Sequence, residues 1–413
     1  MNVVFHRYGS IVEPDILEAF REFNINVVED TMEIERKNID GATRLRVMAE
    51  LILENCPEFV FSINYFPYIS EVCEKLNVKY VALSVDCPVI EIYDKSVRNK
   101  CNRLFLFDYH QYESIKDENP ENIYYLPLGT NVSRWDEVLG EIKSVDDLAA
   151  VKYQYDVSLV GSLYTEKSPL RSMKLDDFSN GYLEGLIKSQ MLFSGLDLLE
   201  EVFKKPAGNT LKLIESMKYA SPEFFEKYAL EDGVVDSEKY IIVQNAMGFE
   251  ISARERVSLL KRFGASGIDT HVFTRSDTQI LQSESFVGAN TWGLTAHGGV
   301  TTHEEMPRVF RTSRINLNPT MRGIQTGLPQ RIWDIMGCGG VCLTNYQAEI
   351  PEYLEIGEDI LCYENERDAV DIARYYLEHE DERLAVAYNG YTKVKAMHDV
   401  KVRVAKMLKA VIG

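Results

Sequence analysis

The stretch Arg314-Ile-Asn-Leu-Asn-Pro-Thr320, followed by Gly327-Leu-Pro-Gln-Arg-Ile-Trp-Asp-Ile-Met-Gly-Cys-Gly-Gly340 and Val341-Cys-Leu-Thr-Asn-Tyr346, decides the fold. It reads as strand, helix, strand. Asn316-Leu317-Asn318 closes a short apolar strand. Pro329 stands in the first turn of the helix, where its missing N–H would be unpaired in any case. The helix Gln330–Met336 stops at Gly337 and the Gly339-Gly340 pair, which frees the backbone for a left-handed turn. The strand Val341–Thr344 follows at once. A helix N-terminus at the carboxyl ends of parallel strands attracts anions. Here it carries Thr326, Gly327 and Arg331 beside Arg322. No Lys-Ser/Thr pair of a Walker loop is present, so the pattern suits a diphosphate held without a protein-bound metal cage.

Outward from this stretch, the chain alternates strands and helices. In the first 130 residues, Asn2–Tyr8, Ile25–Glu29, Phe59–Ile63, Lys79–Asp86, Arg103–Asp108 and Asn122–Leu128 read as strands, with a helix near Val12–Phe23. Continuous Val, Ile, Leu, Phe and Tyr runs mark strands covered on both faces, as in a parallel sheet. Their alternation with helices predicts an α/β class with doubly wound domains. Leu126-Pro127-Leu128-Gly129 punctuates a crossing between domains. The expected division is a first Rossmann-like domain over 1–130, a linker over 131–154, a second over 155–397 and a closing helix over 398–413. Within the second, about 176–264 reads as a helical insertion, far longer than the dozen residues a crossover needs. It serves as packed scaffold, as a surface for homo-oligomers or as an acceptor platform. Phe286–Leu294 reads as a strand before a Gly298-Gly299 loop.

The decisive segment also resembles a known family, through Asn316, Asn318, Gly327, Pro329, Arg331, Asp334-Ile335-Met336-Gly337-Cys338-Gly339-Gly340, Thr344-Asn345-Tyr346 and Glu349, continuing at Tyr375–His379 and Asn389-Gly390-Tyr391. It looks like the nucleotide-sugar half of glycosyltransferases with two Rossmann-like domains, the GT-B architecture. Within these it is similar to the group 1-like branch that includes spore-maturation glycosyltransferases. Ser84-Val85-Asp86-Cys87-Pro88 and Phe105-Leu106-Phe107-Asp108 look like signatures of the uncharacterised N-terminal domain of that branch. The resemblance implies two Rossmann-like domains facing across a cleft and a transferase of the hexosyltransferase class, with a nucleotide-sugar donor such as a UDP-sugar. It further implies a hydroxyl acceptor on a protein or glycan, and arginines or a helix N-terminus in place of a metal. Hence neither a cofactor nor a metal is expected.

By the same resemblance Asp334 grips the ribose hydroxyls; a carboxylate accepts two hydrogen bonds from a vicinal diol. Retaining members carry a glutamate eight positions earlier, where this chain has Thr326. An inverting transfer gains weight from that, and it needs a base for the acceptor's proton. Two candidates stand at strand ends: Asp86, after Val81–Val85, and His6, whose imidazole titrates in a suitable range. Arg322 and Arg331 suit phosphate oxygens through their planar forks. Asn318, Thr326, Gly327, Tyr346 and Gln347 complete the candidate donor contacts. His297 and His303 flank a Gly-rich turn, with Thr302 as cap and Glu305 at capping-box spacing; their surroundings lack a zinc-ligand set.

Composition narrows the partners. The 413 residues hold 64 acidic and 45 basic side chains, net −19, which argues against a nucleic-acid surface and against docking on anionic lipid. Apolar runs are strand-sized, short of the ~20 residues of a membrane helix. Seven scattered cysteines without a Cys-x-x-Cys pair suit a reducing cytoplasm, and the opening residues show no signal-peptide pattern. Three functions stay open. The first is a glycosyltransferase; the second is a non-catalytic nucleotide-sugar-binding or assembly protein; the third is an epimerase on the same two domains.

Overall fold

The computed structural model describes residues 1–36, 39–193, 197–206, 208–230, 233–234, 242–282 and 293–412. The chain forms two compact units. The first comprises Met1–Gly129, Tyr228–Ser237 and Asp399–Gly413, and the second Thr130–Lys227 and Glu238–His398.

The first unit is built on a parallel sheet of β1 (Asn2–His6), β2 (Asn26–Asp30), β3 (Phe59–Ile63), β4 (Lys79–Leu83), β5 (Asn102–Leu106) and β6 (Ile123–Tyr125), in the order β2-β1-β3-β4-β5-β6. All five residues of β3 are buried, as its unbroken Phe-Val-Phe-Ser-Ile run requires. Phe5, Phe20 and Phe61 meet edge to face in the core, with Phe5 and Phe61 centroids 4.8 Å apart. The final helix, Val400–Ile412, joins this core through Val404, Met407 and Val411, so it completes the first unit. Each such buried side chain contributes roughly 1.5–3 kcal/mol.

The second unit holds β7 (Tyr155–Val160), β8 (Thr270–Phe273), β9 (Leu294–His297), β10 (Ser313–Asn318), β11 (Cys342–Asn345) and β12 (Leu361–Tyr363). They form a second parallel sheet in the order β12-β11-β10-β7-β8-β9. The chain runs outward from β7 to β9, then returns to the other side of β7 as β10. Strand order thus reverses between β7 and β10, and in the first sheet between β1 and β3. Open α/β sheets bind ligands at such reversals, beyond the carboxyl ends of the strands. Residues 131–154, expected as linker, form the helices Val132–Leu139 and Val145–Ala149 of the second unit, with Trp135 buried. The expected insertion is a set of helices ending in Val243–Ala265, which packs on β8 and β9. Of the strand expected over Phe286–Leu294, residues 286–292 lie outside the described residues.

The decisive stretch folds as strand, helix, strand. The helix runs Gln330–Gly337 with Pro329 as its N-cap, and Gly339 takes the left-handed turn at φ +75°. Gly340 is required by packing: a Cβ there would sit 2.6 Å from Asn316 Nδ2 and 2.8 Å from the Phe310 carbonyl oxygen. Asn316 has no room to yield. Its amide donates to the carbonyls of Phe310 (3.1 Å) and Val341 (3.3 Å) and accepts from the Ser158 hydroxyl (3.0 Å). Gly340→Ala is therefore expected to destabilise the chain by about 1–3 kcal/mol, the cost of overpacking a core. Denaturant titration checks this, and an unchanged midpoint would show that the neighbours do give way.

Candidate donor site and acceptor-side cluster

A cavity of about 270 Å³ opens beyond the ends of β7 and β8 in the second unit. Gly161 and Ser162 leave β7, and Thr274, Arg275 and Ser276 leave β8. The loop after β9 adds Gly299, Val300 and Thr302, and Met306 and Arg331 close the wall. Gly161 adopts φ +146°, and Gly299 lies so close to Arg275 that a Cβ would come 2.4 Å from its Cγ. The Ser276 hydroxyl accepts from the Leu163 amide at 2.8 Å, which ties the β7 loop to the β8 loop.

Arg331 reaches the cavity from the first turn of the Gln330–Gly337 helix. Its guanidinium donates to the Met306 sulfur and lies 5.5 Å from the Phe310 ring centroid. Burial, together with repulsion from Arg256, holds its pKa below the usual arginine value, with Asp334 opposing. No carboxylate of the described residues lies within ion-pair distance of Arg331 or of the exposed, cavity-lining Arg275. Two cations without a carboxylate at ion-pair distance, at the end of a parallel sheet, are of a kind suited to an anion. The cavity's one acid, Glu166, accepts from the Ser162 hydroxyl at 2.7 Å.

The other donor candidates are placed differently. Asp334 is buried one turn on; its Oδ1 accepts from Thr130 Oγ1 (2.8 Å) and Gln330 Nε2 (3.0 Å). Burial pushes this carboxyl above the usual range. Arg322 is held by Glu255 at 2.6 Å, so its charge is already balanced; burial alone would lower its pKa, and Glu255 raises it. The Asn318 amide joins β10 to β11 by donating to Thr344 Oγ1 at 3.1 Å. Thr326 donates to Glu349 Oε1 at 2.7 Å, and Gln347 donates to the carbonyls of Ile324 and Gly327. These contacts shape the 320–327 loop from within. Tyr346, just beyond β11, is 40% exposed and open to a ligand.

The histidines settle into aromatic packing. His297 ends β9, stacked on Phe273 and bonded to His271 at 2.7 Å. His303 stacks on Trp135 and meets Arg134 at 3.2 Å. The N-cap of Glu305–Thr312 is Glu304, not the expected Thr302, and no side chain caps it; the Thr301 amide donates to Glu305 Oε2 at 2.7 Å instead. Among the described residues no three His, Cys, Asp or Glu side chains converge as metal ligands.

In the first unit, Tyr8, Asn64 and Asp86 follow β1, β3 and β4, at the reversal of strand order. β4 ends at Leu83, so Asp86 sits in the loop beyond it, with its side chain exposed. Asn64, at φ +58°, donates to Asp86 Oδ2 (2.7 Å) and to the Tyr8 hydroxyl (3.0 Å). Burial and the Asp86 charge push the Tyr8 phenol up to about 12. His6 is fully buried, with Nδ1 on Asp30 at 2.8 Å and Nε2 3.3 Å from the Tyr68 hydroxyl. Of the two base candidates, only Asp86 presents its functional atoms to solvent.

The turn after β1 is also informative. The buried Glu13 carboxylate accepts the backbone N–H groups of Tyr8, Gly9 and Ser10 at 2.9–3.0 Å and pairs with Arg7 at 3.1 Å. Dinucleotide-binding domains place a phosphate in the first βα turn. Here the chain's own carboxylate fills that nest.

The comparisons follow this geometry. Residues 267–409 match a family described as glycosyl transferase-like. Solved structures similar over the whole chain include HepE from Anabaena in complex with UDP-glucose (8% identity, 100% of this chain and 99% of that chain, TM-score 0.50). Sucrose-phosphate synthase from Thermosynechococcus elongatus is similar at 8% identity, covering 99% and 98%, with TM-score 0.54. An alpha-glucosyltransferase in complex with UDP-glucose and DNA containing an abasic site is similar at 8% identity, covering 100% and 99%, also with TM-score 0.54. No curated protein matches the sequence. The two six-stranded parallel sheets, flanked by helices, are the two Rossmann-like domains of the GT-B fold. Among the described residues, no helix is long and apolar enough to cross a membrane.

Proposed function

We propose that this chain is a glycosyltransferase of the group 1-like branch, moving a sugar from a UDP-sugar to a hydroxyl acceptor on a protein or glycan. The observation that carries the reading is the cavity beyond β7 and β8, where Arg331 and Arg275 stand without acid partners in a chain of net charge −19. At about 270 Å³ it is smaller than the 300–1,000 Å³ of a whole-ligand pocket, so it takes the diphosphate, the part of the donor that carries charge. The guanidiniums stabilise the negative charge that develops as the nucleoside diphosphate leaves. The plugged turn after β1 supports giving the phosphates to the second domain and the acceptor to the first. Asp86 takes the acceptor's proton, and the transfer inverts the anomeric centre.

Slow release of UDP from UDP-glucose or a related donor tests the reading. A transferase hydrolyses its donor slowly without acceptor. Binding without any turnover, even with acceptor mixtures, would favour a nucleotide-sugar-binding protein instead. Thr326 is the residue that keeps this second reading in view, because its hydroxyl bonds Glu349 where retaining relatives carry a carboxylate.

Because the cavity meets the diphosphate with guanidiniums, donor binding is expected to survive chelation. Calorimetric titration with UDP in EDTA should give the affinity found in buffer alone. Loss of binding in EDTA and its return with Mg²⁺ or Mn²⁺ would overturn this account of leaving-group stabilisation.

A further inference from the structure

We infer that Arg256, on the Val243–Ala265 helix of the inserted segment, is a positioning residue of the diphosphate site. It clamps the loops after β7 and β10 and places a third positive charge beside Arg331. The inference rests on the glycosyltransferase reading of that cavity.

Arg256 Nη1 donates to the Ser162 carbonyl at 2.5 Å and Nη2 to the Pro319 carbonyl at 2.7 Å. Ser162 lies two residues beyond β7 and Pro319 one beyond β10. One guanidinium therefore spans the reversal of strand order, the place where an open sheet takes its ligand. Its plane is fixed by Tyr164, whose ring centroid lies 4.4 Å from Arg256 Cζ.

Among the described residues no carboxylate balances the charge of Arg256. Acids are at hand on the same helix, but they face elsewhere. Glu250 pairs with Arg254 and Arg171, and Glu255 pairs with Arg322. Arg256 has no carboxylate at ion-pair distance among the described residues, and its Nε is buried without a hydrogen-bond partner. Holding a half-buried cation without a carboxylate is costly, and an anion bound nearby lowers that cost through its charge. Arg256 and Arg331 also oppose each other's charge. Two guanidiniums that repel each other attract a diphosphate jointly, and the carbonyl clamps hold Arg256 in place while it binds.

The test compares ligands that differ only in the diphosphate. Wild type, Arg256→Gln and Arg256→Lys are titrated with UDP and with uridine, and each variant's melting temperature is recorded. In Arg256→Gln the preference for UDP over uridine is expected to fall by about tenfold or more, the scale of one charge-assisted contact, with uridine affinity unchanged. Arg256→Lys, which keeps the charge and loses the fork, is expected to fall between the two. A purely structural arginine would instead weaken both ligands together and leave the preference intact, which overturns the inference. Should Arg256→Gln not fold, a UDP preference in Arg256→Lys at or above wild type overturns it equally. If the wild type itself binds UDP no better than uridine, the donor-site reading fails, and the inference fails with it.

Discussion

Asp86→Asn is expected to lower sugar transfer by about 10²–10⁴-fold, the range over which a positioned base contributes. The substitution keeps the side chain's shape, and the bond from Asn64 has an oxygen to meet in either residue. What is lost is the proton acceptor. Donor affinity should stay within error, because the cavity proposed for the diphosphate is lined entirely by residues of the second unit. The check is a pair of measurements on one preparation: transfer rate with saturating donor, and UDP affinity by calorimetry. Near-normal transfer would remove Asp86 from the chemistry. Attention would then turn to His6, whose Asp30 partner orients the ring but whose burial calls for a movement of the surrounding loops. A product that keeps the donor's anomeric configuration would reject the inverting mechanism, whatever the base.

Arg331→Ala is expected to weaken UDP binding by about 1.5–3 kcal/mol, or roughly 10–150-fold, the worth of hydrogen bonds to a charged group. The helix should survive, since alanine is the best helix former and the lost contacts, the Met306 sulfur and the Phe310 ring, are weak. A folded Arg331→Ala chain with unchanged UDP affinity would show that the cavity is not the diphosphate site. Arg322→Ala makes the contrast. Its salt bridge to Glu255 assigns it to holding the 320–327 loop, so its effect is expected to be seen first in stability.

Parts of the candidate site were legible in the sequence. Arg331 stood out because a helix opening after a strand, with glycines closing it, leaves few places for its first-turn arginine to point. Asp86 stood out because a buried strand delivers whatever follows it to the ligand-binding edge of the sheet. Arg275 and Arg256 were not legible. Arg275 matters because the chain reaches the cavity through Gly299, 24 positions later, where only a glycine leaves the arginine room. Arg256 lies inside an amphipathic helix whose spacing marks scaffold, and its partners Ser162 and Pro319 come from distant strands. The one available signal was the Gly161-Ser162 end of a buried strand, which marks a ligand edge without naming its cations.

By itself the sequence determined the two parallel sheets and the turn at Gly339-Gly340. Those follow from local rules: unbroken apolar runs need cover on both faces, and a left-handed or crowded backbone needs glycine. Only the tertiary structure decided which charges remain for a ligand. Arg322 and Arg331 read alike in sequence, yet Arg322 meets Glu255 from 67 residues away and Arg331 has no carboxylate at ion-pair distance among the described residues. His6 read as a candidate base and is buried against Asp30; Glu13, which nothing in the sequence singled out, fills the turn after β1 with its carboxylate. Ion pairing and burial depend on which distant segments fold together, and a charge is available to a ligand only where that folding has left it unpaired.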